Sequence, residues 1–217
     1  MDHLVDLQRE GLIRSISGNQ FPPATLRSLY DCGFSLDRNQ LDCSILAPNT
    51  WNAERRLVAS DLNIPHVFSK PLSGGLWTNR FENQMYPPLE SEVGRDARQR
   101  YTRSLWLWSL AQEKGNVPSE YVDIWTWNKY QKDVLPQLFH IALKYDVDVA
   151  AVALRWLLQK EQSWGAVVGC KMMNPSEVEN ESVAQRIRSW RNVFRFELDD
   201  EDMNHLHEIG GFDPSEH

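Results

Sequence analysis

Hydrophobic positions along the chain switch repeatedly between a helical and a strand-like spacing. Apolar residues three or four positions apart predict helices at Leu4–Leu12, from Pro22-Pro23 to Gly33, at Trp51–Leu62, at Val134–Gln159 and from Pro175 to about Trp190. Short apolar runs between them predict strands at Ile13–Ser17, Leu41–Leu46, Pro65–Ser69 and Trp164–Val168. Strands separated by helices of this length are typical of βαβ units, so the pattern predicts an α/β fold with a parallel sheet.

Polar and small residues add detail at two points. Asp146-Val147-Asp148 interrupts the helical period of Val134–Gln159, which predicts two helices, with Asp148 capping the second. Gly18 directly follows the first predicted strand, and we expect it to serve the turn from strand to loop.

An aromatic-rich segment at about 77–130 separates the third predicted strand from the fourth. It contains five of the nine tryptophans, Trp77, Trp106, Trp108, Trp125 and Trp127. A structureless loop of that length is unusual in a compact domain, so we expect an insertion with helices of its own. Its aromatic side chains could form a lid over a pocket, but packing into a local core is the more common use of such a pattern.

Length and composition indicate one folded domain, which we place at 1–217. The chain has 217 residues, of which 41% are hydrophobic, enough for a core. A complete (β/α)8 barrel typically needs ~250 residues, so a full barrel is not expected.

Charge and cysteine content narrow the possible partners and compartments. The net charge of −7 argues against nucleic acid or an anionic membrane as a partner, since both attract basic surfaces. The three cysteines form no CxxC pair, and no apolar run approaches the ~18 residues of a membrane span. We therefore expect a reduced, cytoplasmic protein without a metal site.

Several segments resemble consecutive motifs of the aldo-keto reductase family. EGLIRSISGNQF is similar to that family's EGKIRxIGVSNF, Asn39-Gln40 to its VNQ strand, and SKPLSGGLWTNRF to its YSPLxGGLLTGKY. Later in the chain, DVAAVALRWLL, VVGCKMMNPSEVEN and ELDDEDMNHLHEI resemble the family's final blocks in the family's order. The chain is thereby identified as similar to the C-terminal half of that family's domain.

This resemblance implies a fold and a reaction. The fold would be the last four βα units of a TIM (β/α)8 barrel, and the reaction would be hydride transfer between NADP(H) and a carbonyl or alcohol. The family assists this transfer with an Asp, Tyr, Lys and His tetrad, whose positions in the family pattern all precede Met1. We therefore expect no catalytic residue in this chain, and we interpret His3 as a solvated helix residue.

The resemblance places the family's cofactor contacts on ten residues of this chain: Asn19, Gln20, Gln40, Ser69, Lys70, Leu72, Gly169, Lys171, Asn180 and Glu181. The nicotinamide carboxamide would meet the side-chain amides of Asn19, Gln20 and Gln40. The aromatic residue that stacks on the nicotinamide in the family is replaced by Ser69. Lys70 could contact a phosphate or simply be a surface lysine.

The last of these contacts concern the adenosine end of the cofactor. Lys171 follows Gly169 and precedes a Pro-started helix, which is a suitable place for the adenosine 2′-phosphate. The family's Glu-Asn pair aligns with Asn180-Glu181 in reversed order, or with Glu179-Asn180 after a one-residue deletion. These departures predict that NADP(H) binding is weak or lost.

Three hypotheses about function remain open. The chain is a truncated oxidoreductase-fold protein that binds NADP(H) weakly and is inactive alone. Alternatively, it is a non-catalytic interaction module, because a half-barrel has open edges that favour self-association or a partner chain. In the third hypothesis the gene model is incomplete, and the native polypeptide is an ordinary aldo-keto reductase.

Overall fold

The computed structural model describes residues 2–45, 53–77, 79, 130–169 and 182–209. It shows an α/β fold in which four parallel strands alternate with helices. The strands are β1 (Ser17–Asn19), β2 (Arg38–Asp42), β3 (His66–Ser69) and β4 (Ser163–Val167). Each strand pairs with the next along the chain, so the sheet order is β1-β2-β3-β4. The predicted alternation and the parallel sheet are confirmed.

Seven α-helices lie in the described part of the chain: α1 (Asp2–Arg9), α2 (Pro23–Asp31), α3 (Ala53–Leu62), α4 (Leu135–Lys144), α5 (Val149–Leu158), α6 (Ser182–Arg191) and α7 (Asp200–Ile209). Short 3-10 turns follow β3 at Ser73–Gly75 and α6 at Asn192–Phe194, and a π-helical turn, Tyr130–Val134, leads into α4. None of the helices described is long and apolar enough to cross a membrane.

Two strands lie at positions other than those predicted. β1 begins at Ser17, the last residue of the predicted strand Ile13–Ser17. Its pairing with β2 starts there, with Ser17 opposite Arg38. β2 ends at Asp42 and includes polar residues that the apolar run Leu41–Leu46 did not predict. Asn39 is fully buried, and its side-chain amide accepts from the backbone N–H of Phe21 at 3.3 Å and donates to its carbonyl at 3.0 Å. This pairing satisfies the polar groups of Asn39 inside the sheet.

The larger of two apolar clusters in the described residues lies between the sheet and α5. Leu41 of β2 and Phe68 of β3 are fully buried in the same apolar cluster as Trp156 and Leu157 of α5. The predicted cap is confirmed, because the Asp148 carboxylate accepts from the Ala151 N–H at 2.9 Å. Full burial of each such side chain contributes about 1.5–3 kcal/mol, so α5 fixes the position of the sheet.

The two ends of the aromatic-rich segment meet at one point. Tyr130 donates its hydroxyl to the carbonyl of Leu76 at 2.5 Å, and its ring lies 5.8 Å from that of Trp77. All three side chains are buried. Beyond these ends, residue 79 alone of the insertion predicted at about 77–130 is described, and the prediction of local helices lies outside the described residues.

Gly18 has a packing role, and the predicted role in a turn is wrong. It lies inside β1, where a Cβ atom would come within 2.9 Å of side-chain carbons of both Leu36 and Phe21 and within 3.0 Å of the Asn39 Oδ1. Real Cβ contacts are almost never this close, so a larger residue would require these neighbouring side chains to shift.

We predict that Gly18→Ala lowers the free energy of unfolding by about 1–3 kcal/mol, the usual cost of overpacking a core. Gly165→Ala is the matched control in the same sheet, because a Cβ at Gly165 would have no atom within 4 Å. Urea titration followed by circular dichroism measures both. Equal stability of the two variants would contradict the packing role.

Candidate functional site

The candidate site lies at the carboxyl ends of the strands, where parallel α/β folds bind their ligands. Seven of the predicted cofactor residues belong to the described part of the chain, in or directly after strands or in the β3 turn: Asn19, Gln20, Gln40, Ser69, Lys70, Leu72 and Gly169. The other three, Lys171, Asn180 and Glu181, lie outside the described residues. The sheet register therefore brings the nicotinamide-end candidates to one edge.

Asp42 connects three of these candidates. Ser69, its direct partner in the register of β2 and β3, donates its hydroxyl to Asp42 Oδ1 at 2.6 Å. The Lys70 ammonium forms an ion pair with Asp42 Oδ2. The Gln20 side chain hydrogen-bonds to the same carboxylate. Asp42 was not among the predicted site residues, yet it is the group on which they converge.

The surroundings of Asp42 favour its charged form. Partial burial alone would raise the pKa of this carboxyl. Hydrogen bonds from Lys70 and Ser69, the positive charge of Lys70 and a hydrogen bond from Gln20 outweigh burial and hold the pKa of Asp42 below its usual value. The site thus contains a fixed anion with donors on several sides.

The chain turns sharply as it leaves β1 and β3. Gln20 and Lys70, each the first residue after its strand, have φ angles of 59° and 55°. The Gln20 N–H donates to the Gln40 carbonyl at 2.8 Å, which extends the ladder of β1 and β2 by one bond. Non-glycine residues adopt this left-handed conformation infrequently, and such residues are concentrated at functional sites.

Two further amides face the same side of the sheet. Asn19 is exposed and lies opposite half-buried Gln40 in the register of β1 and β2. Gln40 and Asp42 are two positions apart in β2, so their side chains emerge on the same face. These amides can donate to and accept from a planar carboxamide.

The loops after β3 and β4 contribute mainly backbone. Leu72 is partly buried against the core, so its side chain belongs to the packing. The turn beyond it is held by the hydroxyl of Ser73, which donates to the Ser44 hydroxyl at 2.8 Å. Gly169 follows β4, and a Cβ there would meet no atom of the described residues within 4 Å.

Within the described part of the chain, no cluster of three or more His, Cys, Asp or Glu side chains could hold a metal ion.

The signal that could have revealed Asp42 was the polar alternation of β2, where Gln40 and Asp42 share one face next to Ser69 of β3.

Comparison with known proteins identifies the family. The model of the aldo/keto reductase family matches residues 1–210 of the 217-residue chain. The chain belongs to the aldo/keto reductase family. Members of this family typically depend on NADP(H), and the four parallel strands with their helices are consistent with part of its TIM barrel. No curated protein matches this aldo/keto reductase chain.

We predict that Lys70→Met raises the pKa of Asp42, because it removes both a hydrogen bond and a positive charge from the carboxylate. In the native protein these interactions stabilise the fold above the ordinary aspartate pKa, and their contribution is lost as the pH falls through the lowered value. Carbon-13 NMR of the Asp42 carboxyl measures the change.

The control for this substitution is Lys132→Met, which removes an exposed lysine of the π-helical turn. It should leave the titration of Asp42 unchanged. A pKa of Asp42 that is the same in both variants would contradict the role assigned to Lys70.

Proposed function

We propose that this chain is a C-terminal aldo/keto reductase half-barrel that binds NADP(H) weakly and does not reduce carbonyls alone. The observation that carries the proposal is the convergence of Gln20, Ser69 and Lys70 on Asp42 at the carboxyl edge of the sheet. Its place of action in this proposal is the cytoplasm, because its three cysteines form no CxxC pair and no even disulfide framework.

The nicotinamide end of the cofactor would meet the open face of β1 and β2. Asn19 and Gln40 lie opposite each other there, and their amides have the donors and acceptors that a carboxamide requires. When bound, the cofactor supplies a hydride. The role of Asn19 and Gln40 is to orient the ring.

Three features make this binding weak. Ser69 provides no ring on which the nicotinamide could stack, and its hydroxyl is already donated to Asp42. The Lys70 ammonium is paired with the same carboxylate, so a cofactor phosphate must compete with Asp42 for it. The charge of Asp42 itself repels phosphate at close range.

The adenosine end would be held by the segment after β4. We propose this from the resemblance, with Lys171 at the 2′-phosphate and Asn180 and Glu181 at the adenine. Among the described residues, no atom occupies the space where a Cβ of Gly169 would lie, which supports this placement.

The proposed inactivity of residues 1–217 rests on the resemblance as well, because the family's tetrad aligns with none of them. If a longer native polypeptide carries a tetrad upstream in the same frame, that polypeptide would be an ordinary NADP(H)-dependent reductase. The upstream genomic sequence distinguishes these two cases.

We predict saturable but weak quenching of tryptophan fluorescence by NADPH, and no carbonyl-dependent oxidation of NADPH. Gln40→Leu should weaken the binding because it removes a carboxamide contact, whereas Gln8→Leu, on exposed α1, should not. Absence of saturation at millimolar NADPH would contradict cofactor binding. Turnover with a carbonyl substrate would contradict the proposed inactivity.

A second function is favoured by the open face of the sheet. Among the described residues, β1 pairs only with β2 and β4 only with β3, so each outer strand has one open edge. Trp164 and Val167 of β4 are 59% and 51% exposed, and the Arg38 guanidinium lies 3.8 Å from the centre of the Trp164 ring. Parallel sheets are usually covered on both faces, so this surface favours a partner.

The occupant that we propose is a second copy of the chain. Two copies related by a two-fold axis would place β4 of one beside β1 of the other in parallel orientation at both seams. That arrangement closes an eight-stranded barrel, which has no open edges and an interior just wide enough for side chains to fill. A two-fold interface uses the same surface on both partners, as this geometry requires.

We predict that the chain sediments as a dimer and that Trp164→Glu shifts it to the monomer, because the substitution introduces a charge on the sheet face that the dimer would enclose. Leu143→Glu is the control, since Leu143 is 79% exposed on α4, away from the sheet. A wild-type chain that remains monomeric at all concentrations would contradict the proposed dimer and favour a different partner.

A further inference from the structure

A polar cavity lies beside α6, and none of the residues that converge on Asp42 belongs to its lining. Its volume is about 560 Å³. It is lined by three arginines and three smaller polar residues: Arg188, Arg191, Arg195, Asp148, Ser189 and Asn192. Ligand cavities typically measure about 300–1,000 Å³, so the space is large enough for a small molecule.

The arginines share one side of their segment. Arg188 and Arg191 are one helical turn apart in α6, and Arg195 follows the 3-10 turn Asn192–Phe194. Spacings of three and four residues place side chains on the same face. At ~1.5–2 Å of rise per residue, the three Cα atoms extend over about 10–12 Å. The cavity therefore presents a row of cations.

Within the described part of the chain, these three arginines have no acidic partner at salt-bridge distance. Other cations there do, as Arg27 with Asp61 at 2.9 Å and Arg155 with Glu197 at 2.8 Å illustrate. Grouping like charges around one cavity is electrostatically unfavourable unless an anion joins them. The net charge of −7 makes this local concentration of cations distinctive.

Asp148, the one carboxylate among the lining residues, already has donors. Its Oδ1 accepts from the Ala151 N–H at 2.9 Å as the cap of α5, and its Oδ2 accepts from the Ser189 hydroxyl. These bonds attach the cavity wall to the most buried helix of the fold. Asp148 thus positions the wall, and the exposed side chains of Arg188, Arg191 and Arg195 are accessible to a ligand from solution.

We propose that this cavity binds an oligophosphate anion. Guanidinium groups match phosphate oxygens with paired hydrogen bonds. A row of about 10–12 Å exceeds the reach of one phosphate and suits two or more phosphates linked in a chain. Two ligands carry such linked phosphates: a free oligophosphate and NADP(H).

Calorimetric titration with inorganic triphosphate tests the proposal. The triple variant Arg188→Gln, Arg191→Gln, Arg195→Gln should lose at least about tenfold in affinity, because each guanidinium makes charge-assisted bonds. The control is Arg9→Gln, Arg14→Gln, Lys132→Gln, which removes the same charge from exposed positions elsewhere and should change affinity by less than about threefold. If the triple variant unfolds, the single variant Arg195→Gln, outside α6, replaces it, with an expected loss of about threefold.

Titration of the same variants with NADPH identifies the source. A parallel loss for NADPH and triphosphate assigns the site to the cofactor's phosphates, and a loss for triphosphate alone assigns it to a free oligophosphate. Both results support phosphate binding at this cavity. The triphosphate result is independent of whether NADPH binds to the protein. No binding of triphosphate at millimolar concentration, or equal affinity in the triple variant and its control, would overturn the proposal.

Discussion

The burial of α5 (Val149–Leu158) against the sheet is the interaction on which the rest of the structure depends. Trp156 and Leu157 are fully buried in the cluster that contains the apolar residues of β2 and β3. The polar side of the same helix holds the chain that follows α6, because Arg155 donates to the Val193 carbonyl and Gln159 to the Leu198 carbonyl. One helix thereby connects the sheet, the arginine cavity and the C-terminal segment.

The packing of helices on one face of the sheet also explains which side chains form the Asp42 site. Odd-numbered residues of β2 lie under the helices and are buried, so the even-numbered Gln40 and Asp42 emerge on the open face. Parallel register then sets Ser69 opposite Asp42 without any contribution from a loop. Strand pairing thus places Asp42 and Ser69 together, and the turns that follow β1 and β3 bring Gln20 and Lys70 to the same carboxylate.

The sequence predicted the helices well and the polar parts of the sheet poorly. α5 and its Asp148 cap were predictable because buried positions recur with helical spacing and an N-cap residue precedes them. β2 was predicted too late because buried Asn39 looks like a loop residue until its pairing with the Phe21 backbone is known. Asp42 required the register of separate strands, and one sequence alone does not supply that. The spacing of Arg188, Arg191 and Arg195 was visible in the sequence, but their shared cavity was not.

The contact of Tyr130 with Leu76 and Trp77 has a consequence for how this protein can change. The rings of Trp77 and Tyr130 meet at a buried junction, although a long segment separates the two residues in sequence. The entropy cost of closing a loop grows only with the logarithm of its length, so the segment between these residues can lengthen or shorten at little cost to the sheet. The junction thus separates the evolution of that segment from the evolution of the core. Large differences in length there are compatible with an unchanged arrangement of strands.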